Sequence, residues 1–143
     1  MKDPSGVIRA WIYSQLNGTI TYNTVAVPVY SFAPKDAAMP YILIASQSGA
    51  TELDASTKDS WITRQSFTIE IYSEHTGNNA SYVPINTIGD SVVQKLRTRS
   101  AITISGYNVV SLILDSTLTD MMDFDTKIVG IKILNFTMLI EES

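Results

Sequence analysis

The segment 61–73 alternates between apolar and polar side chains, and this alternation constrains the fold more than any other feature of the sequence. Phe67, Ile69 and Ile71 fall on one face of an extended chain, whereas the residues between them are polar or, at Tyr72, amphipathic. One face of such a strand is buried and the other is wetter, which is typical of an antiparallel sheet covered on one side. The segment therefore predicts a half-buried strand.

Two other segments have helical spacing of their apolar residues. The first predicts a helix over 3–16, with Asp3 as its cap and Pro4 at its first position. The second predicts a helix over 82–98 around Pro84. Each helix has a single apolar stripe, so each must pack that stripe against another element.

Further strands are predicted at 19–22, 26–32, 41–46, 101–105, 107–115 and 127–140. Pro28 assigns its segment to a sheet edge, because proline cannot donate to a ladder. Two polar segments, 47–60 and 116–126, are predicted to be loops or arms. The order of elements predicts a single α+β domain over residues 1–143. We expect a mixed, mostly antiparallel β-sheet with two helices packed on one face and long polar loops.

Composition excludes several classes of protein. The net charge is −4, there are no cysteines, and no apolar run reaches the roughly 18 residues that span a bilayer. No export signal is visible at the N-terminus, so no membrane partner is expected. The densest basic cluster is Lys95, Arg97 and Arg99, which suits the negative end of a helix macrodipole better than a nucleic-acid interface.

Residues suited to catalysis are sparse. His75 is the only histidine, and it follows the strongest strand without a recognisable nucleophile motif. The segment Asp123-Phe124-Asp125-Thr126 is similar to the D-x-D-x-T pattern of aspartyl-phosphate phosphatases, with its threonine one position early, but it follows a polar segment near the end of a short chain. An acidic β-turn accounts for this segment better than a phosphatase site does. In that interpretation the neighbouring Met121, Met122 and Phe124 pack or contact a partner. No catalytic residue, metal site or cofactor is predicted.

Several short motifs follow one another in a characteristic order along nearly the whole chain. They are Val29-Tyr30-Ser31-Phe32-Ala33-Pro34, Met39-Pro40-Tyr41-Ile42-Leu43-Ile44, Thr68-Ile69-Glu70-Ile71-Tyr72-Ser73, Ile88-Gly89-Asp90-Ser91-Val92, Gly106-Tyr107 and an acidic turn at 123–126. This series resembles the tail-completion, or tail-terminator-like, proteins of tailed bacteriophages.

The resemblance implies a structural virion protein without catalytic activity. It implies a homo-oligomeric ring, a hexamer or a dodecamer, at the head–tail junction or in the tail, with DNA passing through the lumen without specific binding. The partners implied are further copies of the chain and other neck, tail or portal-proximal virion proteins. The protein is expected in the virion, after synthesis in the cytoplasm of the bacterial host.

The two polar segments are the candidates for contacts with neighbours or for the channel lining, since both are too long and too polar to be economical turns. Their candidate residues are Glu52, Asp54, Lys58, Asp59, Asp120, Met121, Met122, Asp123 and Asp125. An acidic wall would repel DNA phosphates and let DNA move. Two alternatives stay open: a small metal-dependent phosphohydrolase using Asp123 and Asp125, and a monomeric ligand-binding α+β domain.

Overall fold

A computed structural model describes residues 3–51, 61–76, 79–97 and 102–142 of the chain. Within these ranges the elements are α1 (Ser5–Leu16), β1 (Thr21–Tyr22), β2 (Val25–Ala26), β3 (Val29–Tyr30), β4 (Tyr41–Thr51), β5 (Ile62–His75), α2 (Val83–Leu96), β6 (Thr103–Ile104), β7 (Tyr107–Phe124) and β8 (Lys127–Glu142).

The main sheet has six strands in the order β3-β4-β5-β8-β7-β6, and β1 pairs with β2 in a small separate hairpin. The pairing is antiparallel except between β3 and β4. The predicted α+β fold, with a mostly antiparallel sheet and two packed helices, is confirmed. The segment containing Pro28 was predicted to lie at an edge, and β3, which follows this proline, is indeed the terminal strand.

The core lies between the two helices and one face of the main sheet. Ile69 of β5 lies opposite Ile44 of β4 and Leu134 of β8. The rings of Phe67 and Phe136 stack in the centre, with centroids 5.1 Å apart and planes inclined by 15°. The helices contribute the buried side chains Ile8, Ile12, Leu16, Ile85, Ile88, Val92 and Leu96. Phe67, Ile69 and Ile71, the apolar face predicted for β5, are buried as the sequence predicted.

Polar contacts of Asp3 and Arg9 stabilise the first turns of α1. The Oδ1 atom of Asp3 accepts hydrogen bonds from the backbone N–H and the hydroxyl of Ser5, at 3.0 and 2.6 Å. Arg9 donates to the carbonyl oxygens of Ile44 and Ala45, which lie at a bulge in β4. The guanidinium thus satisfies carbonyl groups beside the point where the bulge interrupts the ladder.

The segment 116–126 is not a loop, and this prediction was wrong. It belongs to a long hairpin of β7 and β8, whose turn is formed by residues 125–126. The register with β8 shifts twice, at Val110 and at Asp115, so the side chains facing the helices do not follow a period of two. By their pairing with β8 these residues are Tyr107, Val109, Leu112, Leu114, Thr117, Thr119, Met121 and Asp123. Their irregular spacing, together with the exposure of an edge strand, hides the strand from a search for alternation.

Strand β4 also extends beyond its predicted end. It continues from Tyr41 to Thr51, so residues 47–51 of the predicted loop 47–60 pair with β5. The polar side chains of this extension are exposed or half-buried near the sheet edge, where polarity does not oppose strand formation. The part of the predicted loop from 52 to 60 lies outside the described residues.

Candidate assembly surfaces

Five of the nine predicted contact residues lie in the described part of the chain, and the structure does not bring these five to one surface. Glu52, Asp54, Lys58 and Asp59 lie outside the described residues. The remaining five lie on the β7–β8 hairpin, near its tip. They divide between the two faces of the hairpin and the turn, so they do not form a single patch.

The register of the hairpin assigns each of these side chains to a face. Asp120 and Met122 belong to the face directed away from the helices, which we call the open face of the sheet. Met121 and Asp123 belong to the opposite face, since residues an odd number apart in a regular strand point to opposite sides. Asp125 lies in the turn. The carboxylate of Asp120 accepts a hydrogen bond from the backbone N–H of Met121 at 2.8 Å.

The segment similar to D-x-D-x-T therefore lies at the tip of an antiparallel hairpin. A phosphatase aspartate needs a second carboxylate and bound groups converging on the same point, whereas Asp123 is the penultimate residue of β7 and Asp125 lies in an exposed turn. In the ranges described, no group of three acidic or histidine side chains could hold a metal ion. The placement of the motif favours the acidic β-turn over the hydrolase.

His75 lies within β5 and not after it. It is the last residue of the strand and is half-buried. Its Nε2 atom lies 3.0 Å from the hydroxyl of Ser73, since two residues apart in a strand share a face. Ser73 itself is buried, so a substrate would not reach its hydroxyl without movement of the core. The pair is a structural hydrogen bond within the strand.

The clearest unpaired surface is the outer edge of β7. Strand β6 pairs only with Tyr107 and Asn108, so residues 109–124 have no neighbouring strand on that side within the described part of the chain. An unpaired edge presents a row of backbone donors and acceptors that can bind another strand. Ile113 and Leu118 are half-exposed along this edge, on the open face.

The opposite edge of the sheet is covered to a greater extent. There β3 pairs with the first residues of β4, and the contacts of Arg9 occupy the bulge that follows. The side-chain amide of Gln47 donates to the carbonyl oxygen of Ser5 at 3.1 Å, which links α1 to the same strand. The two edges therefore differ, and β7 is the more accessible.

The open face also contains an apolar groove of about 340 Å³ near the tip of the hairpin. Met39, Tyr41 and Tyr72 line one side, and Met122 and Phe124 of β7 line the other. The sequence predicted packing or partner contacts for Met122 and Phe124. Tyr41 and Tyr72 were not among the predicted contact residues, although the aromatic side chain of Tyr72 stands out on the wetter face of β5, which is otherwise mostly polar.

A hydrogen bond orders the tyrosine side of this groove. The hydroxyl of Tyr72 donates to a carboxylate oxygen of Glu70 at 2.8 Å, and its ring lies 5.1 Å from that of Tyr41. Burial, followed by this bond to the carboxylate, raises the pKa of Tyr72 far above its ordinary value. Burial and the charge of Glu70 also raise the pKa of Tyr41. Both hydroxyls therefore stay neutral at physiological pH.

Comparison with solved structures finds the same fold in a chain of a virion. A chain in the structure titled "Virion of native gene transfer agent (GTA) particle" superposes with a TM-score of 0.75 at 17% sequence identity, and the match covers 99% of each chain. At this identity the likeness establishes the fold. No protein-family model matches the chain, and no curated protein matches it. Neither of the two described helices is long and apolar enough to cross a bilayer.

Proposed function

We propose that this chain is a structural virion protein that forms a homo-oligomeric ring at the head–tail junction or in the tail of a phage-like particle. The observation that carries the proposal is that its fold matches a chain of a gene transfer agent virion over 99% of both lengths. The resemblance to tail-completion proteins, which rests on the order of short motifs, points in the same direction.

The surfaces of the molecule suit a ring. A ring repeats one contact between two unlike patches, so each protomer needs two different surfaces. The accessible edge of β7 and the covered edge on the β3 side are unlike, and they lie at opposite ends of the main sheet. Bulges at Val110 and Asp115 and the carboxylates of the edge limit indiscriminate strand pairing. A partner of matching shape and charge is thereby favoured over random association.

The acidic residues of the hairpin fit a channel wall that does not retain DNA. Asp120, Asp123 and Asp125 are all exposed, and the last third of the chain has six acidic and two basic residues. In this proposal the hairpin tip, together with Glu52, Asp54, Lys58 and Asp59, contacts neighbours or faces the lumen. Carboxylates there repel phosphates and keep DNA mobile.

Electron microscopy of the purified particle, with this chain located in the density, tests the proposal. We expect a closed ring of six or twelve copies in the neck or tail. Native mass spectrometry of the purified protein measures whether it also assembles alone, as a multiple of its 15.7 kDa mass. Absence of the chain from the particle refutes the proposal.

A second measurement separates the proposal from the hydrolase. The purified protein is incubated with a phosphate monoester and Mg²⁺, and Asp123→Asn is the comparison. We expect equal, background rates for both proteins. Turnover by the parent chain that Asp123→Asn abolishes contradicts a purely structural role.

A further inference from the structure

A second pocket, of about 520 Å³, opens beside the first turn of α1, where β4 ends and β5 begins. It lies away from the groove on the open face and is lined by different residues. The residues that matter for its chemistry are Asp3, Ser5, Gly49, Trp61, Thr63 and Gln65. They come from the start of α1 and from two neighbouring strands, so the pocket exists only in the folded chain.

Gln65 has an unsatisfied polar atom in this pocket. Its side chain is only 4% exposed, and its amide nitrogen donates to the hydroxyl of Thr63 at 3.3 Å. Its Oε1 atom is buried without a hydrogen-bond partner in the described part of the chain. A buried acceptor without a donor is costly, and each such group in a native protein calls for an explanation, of which a bound donor is one.

Gly49 provides the space for this amide. A Cβ atom at position 49 would lie 2.5 Å from Nε2 and 2.8 Å from Oε1 of Gln65, which is closer than real Cβ contacts. Any other residue at this position would displace the end of the glutamine side chain. The local sequence is therefore compatible with holding an acceptor at the floor of the pocket.

The rest of the pocket is also rich in acceptors. Asp3 accepts two hydrogen bonds from Ser5, and these bonds lower the pKa of its carboxyl group, which is therefore ionised. The charges of Glu142 and then Asp3 add to the effect of burial in raising the pKa of Tyr107, so both carboxylates act on this end of the sheet. The first turn of α1 already faces the carboxylate of Asp3, which disfavours a second anion.

The wall of the pocket suits a cation. Trp61 is 45% exposed and lines the pocket, and an indole face attracts a positive group by a cation–π interaction. A ligand that satisfies a carboxylate, an amide oxygen and an indole must carry positive charge and several N–H donors. The side chains of arginine and lysine meet this description, and the planar guanidinium meets it best.

We propose that this pocket binds the basic side chain at the C-terminal end of α2, Arg97 with its neighbour Lys95, from a second copy of the chain. The inference rests on the proposed self-assembly and identifies one of its contacts. Lys95 and Arg97 are both exposed. Among the other cations in the described ranges, Arg9 binds carbonyl oxygens of β4 and Lys132 binds Asn86 and Thr119, whereas Lys35 is exposed and serves below as the control.

This pairing is heterologous, as a ring requires. The acidic pocket and the basic helix end are different patches of the same chain, so each protomer offers one of each to its neighbours. Because the two patches have opposite charges, this pairing is favoured over contacts between two pockets or between two helix ends. The contact supplies the donor that Oε1 of Gln65 lacks and places the guanidinium against Trp61.

Charge exchange between two variants tests the pairing. Asp3→Lys and Arg97→Glu each place like charges together, and we expect each to weaken self-association about tenfold or more, measured by analytical ultracentrifugation. An equimolar mixture restores association, because every contact in an alternating assembly again joins opposite charges. Lys35→Glu is the matched control for Arg97→Glu. It makes the same change of charge at a different exposed cation, and we expect it to associate like the parent.

Substitution of Gln65 separates binding from folding. Gln65→Met keeps the volume and removes the unsatisfied oxygen, so we expect a melting temperature equal to or above that of the parent. Self-association should nevertheless weaken, since the guanidinium loses its acceptor. A purely structural role for Gln65 predicts the opposite pair of results, a lower melting temperature and unchanged association.

The outcomes distinguish failure of the pocket pairing from failure of the proposed function. A parent chain that assembles, with no effect of either charge variant or no recovery on mixing, overturns the pairing and leaves the ring proposal standing. A parent chain that neither assembles alone nor occurs in the particle refutes the ring and excludes a second copy as the source of the cation. The pocket is then judged with N-acetyl-arginine amide: a saturable shift of the Gln65 amide resonance, absent with the citrulline analogue, supports a cation site, and equal responses overturn it.

Discussion

Substitution of Leu118 by lysine tests whether the open face of β7 is an assembly surface. Leu118 lies opposite Ile133 on the open face and is 51% exposed in the protomer. If a neighbour covers this edge, the substitution removes apolar contact and buries an ammonium group in its place. Assembly should weaken, while the fold of the protomer should change little.

The structure sets the size of the effect. Full burial of a leucine side chain is worth about 1.5–3 kcal/mol, and half of that burial is already achieved within the protomer. Covering the remainder contributes about 1 kcal/mol, and the cost of desolvating the lysine adds to this. A loss of about 1–2 kcal/mol weakens each contact by a factor of about 5–30. Surface substitutions of this kind change the free energy of unfolding by about 0.5 kcal/mol or less.

Thr117→Lys is the matched control. Thr117 is the neighbouring residue on the same strand, gains the same charge and faces the other side of the sheet. Association is measured by native mass spectrometry over a concentration series, and the free energy of unfolding by urea denaturation of the dilute protomer. Equal effects of the two substitutions on assembly, or no effect of Leu118→Lys, would refute the assignment of the open face as an interface.

Two further predictions concern the core and the open face. Phe136→Ala removes one ring of the buried stack and should lower the free energy of unfolding, measured by urea denaturation, by about 3–5 kcal/mol. Ile113→Ala, on the half-exposed open face, should lower it by less than about 1.5 kcal/mol. Equal losses would contradict the position of the core. The pKa of Tyr72 is raised in the folded state above its ordinary value of 10.0, so the folded state binds the phenolic proton more tightly than the unfolded state does. The resulting stabilisation is complete below the ordinary pKa and is lost as the pH rises through the raised pKa of the folded state. Denaturation at successive pH values should show this loss, and Tyr72→Phe should reduce it; an unchanged profile argues against a raised pKa of Tyr72 in the folded state.

The elements with a regular pattern could be predicted from sequence alone. The alternation around Ile69 predicted β5, and the stripes that contain Ile12 and Ile88 predicted both helices to within about two residues. Pro28 predicted a sheet edge for a reason that does not depend on distant residues, because its nitrogen has no hydrogen to donate. These predictions succeeded because each depends on the chemistry of neighbouring residues along the chain.

The irregular and long-range features could not be predicted in this way. Two bulges interrupt the period of β7, so 116–126 was interpreted as a polar loop, and only pairing with β8 makes it a strand. The candidate contact residues on this hairpin were chosen for their charge, and the sequence does not assign Asp120 and Asp123 to opposite faces. That assignment requires the register.

The sequence by itself determined a two-layer α+β domain, because burial of one apolar face per element leaves few arrangements for its strands and helices. Only the tertiary structure decided which sheet edge stays accessible, which faces the acidic side chains occupy, and that Asp3, Gly49 and Gln65 meet in one pocket. The physical reason is that strand pairing and helix docking join residues far apart in the chain. Their energies depend on partners that no local pattern specifies.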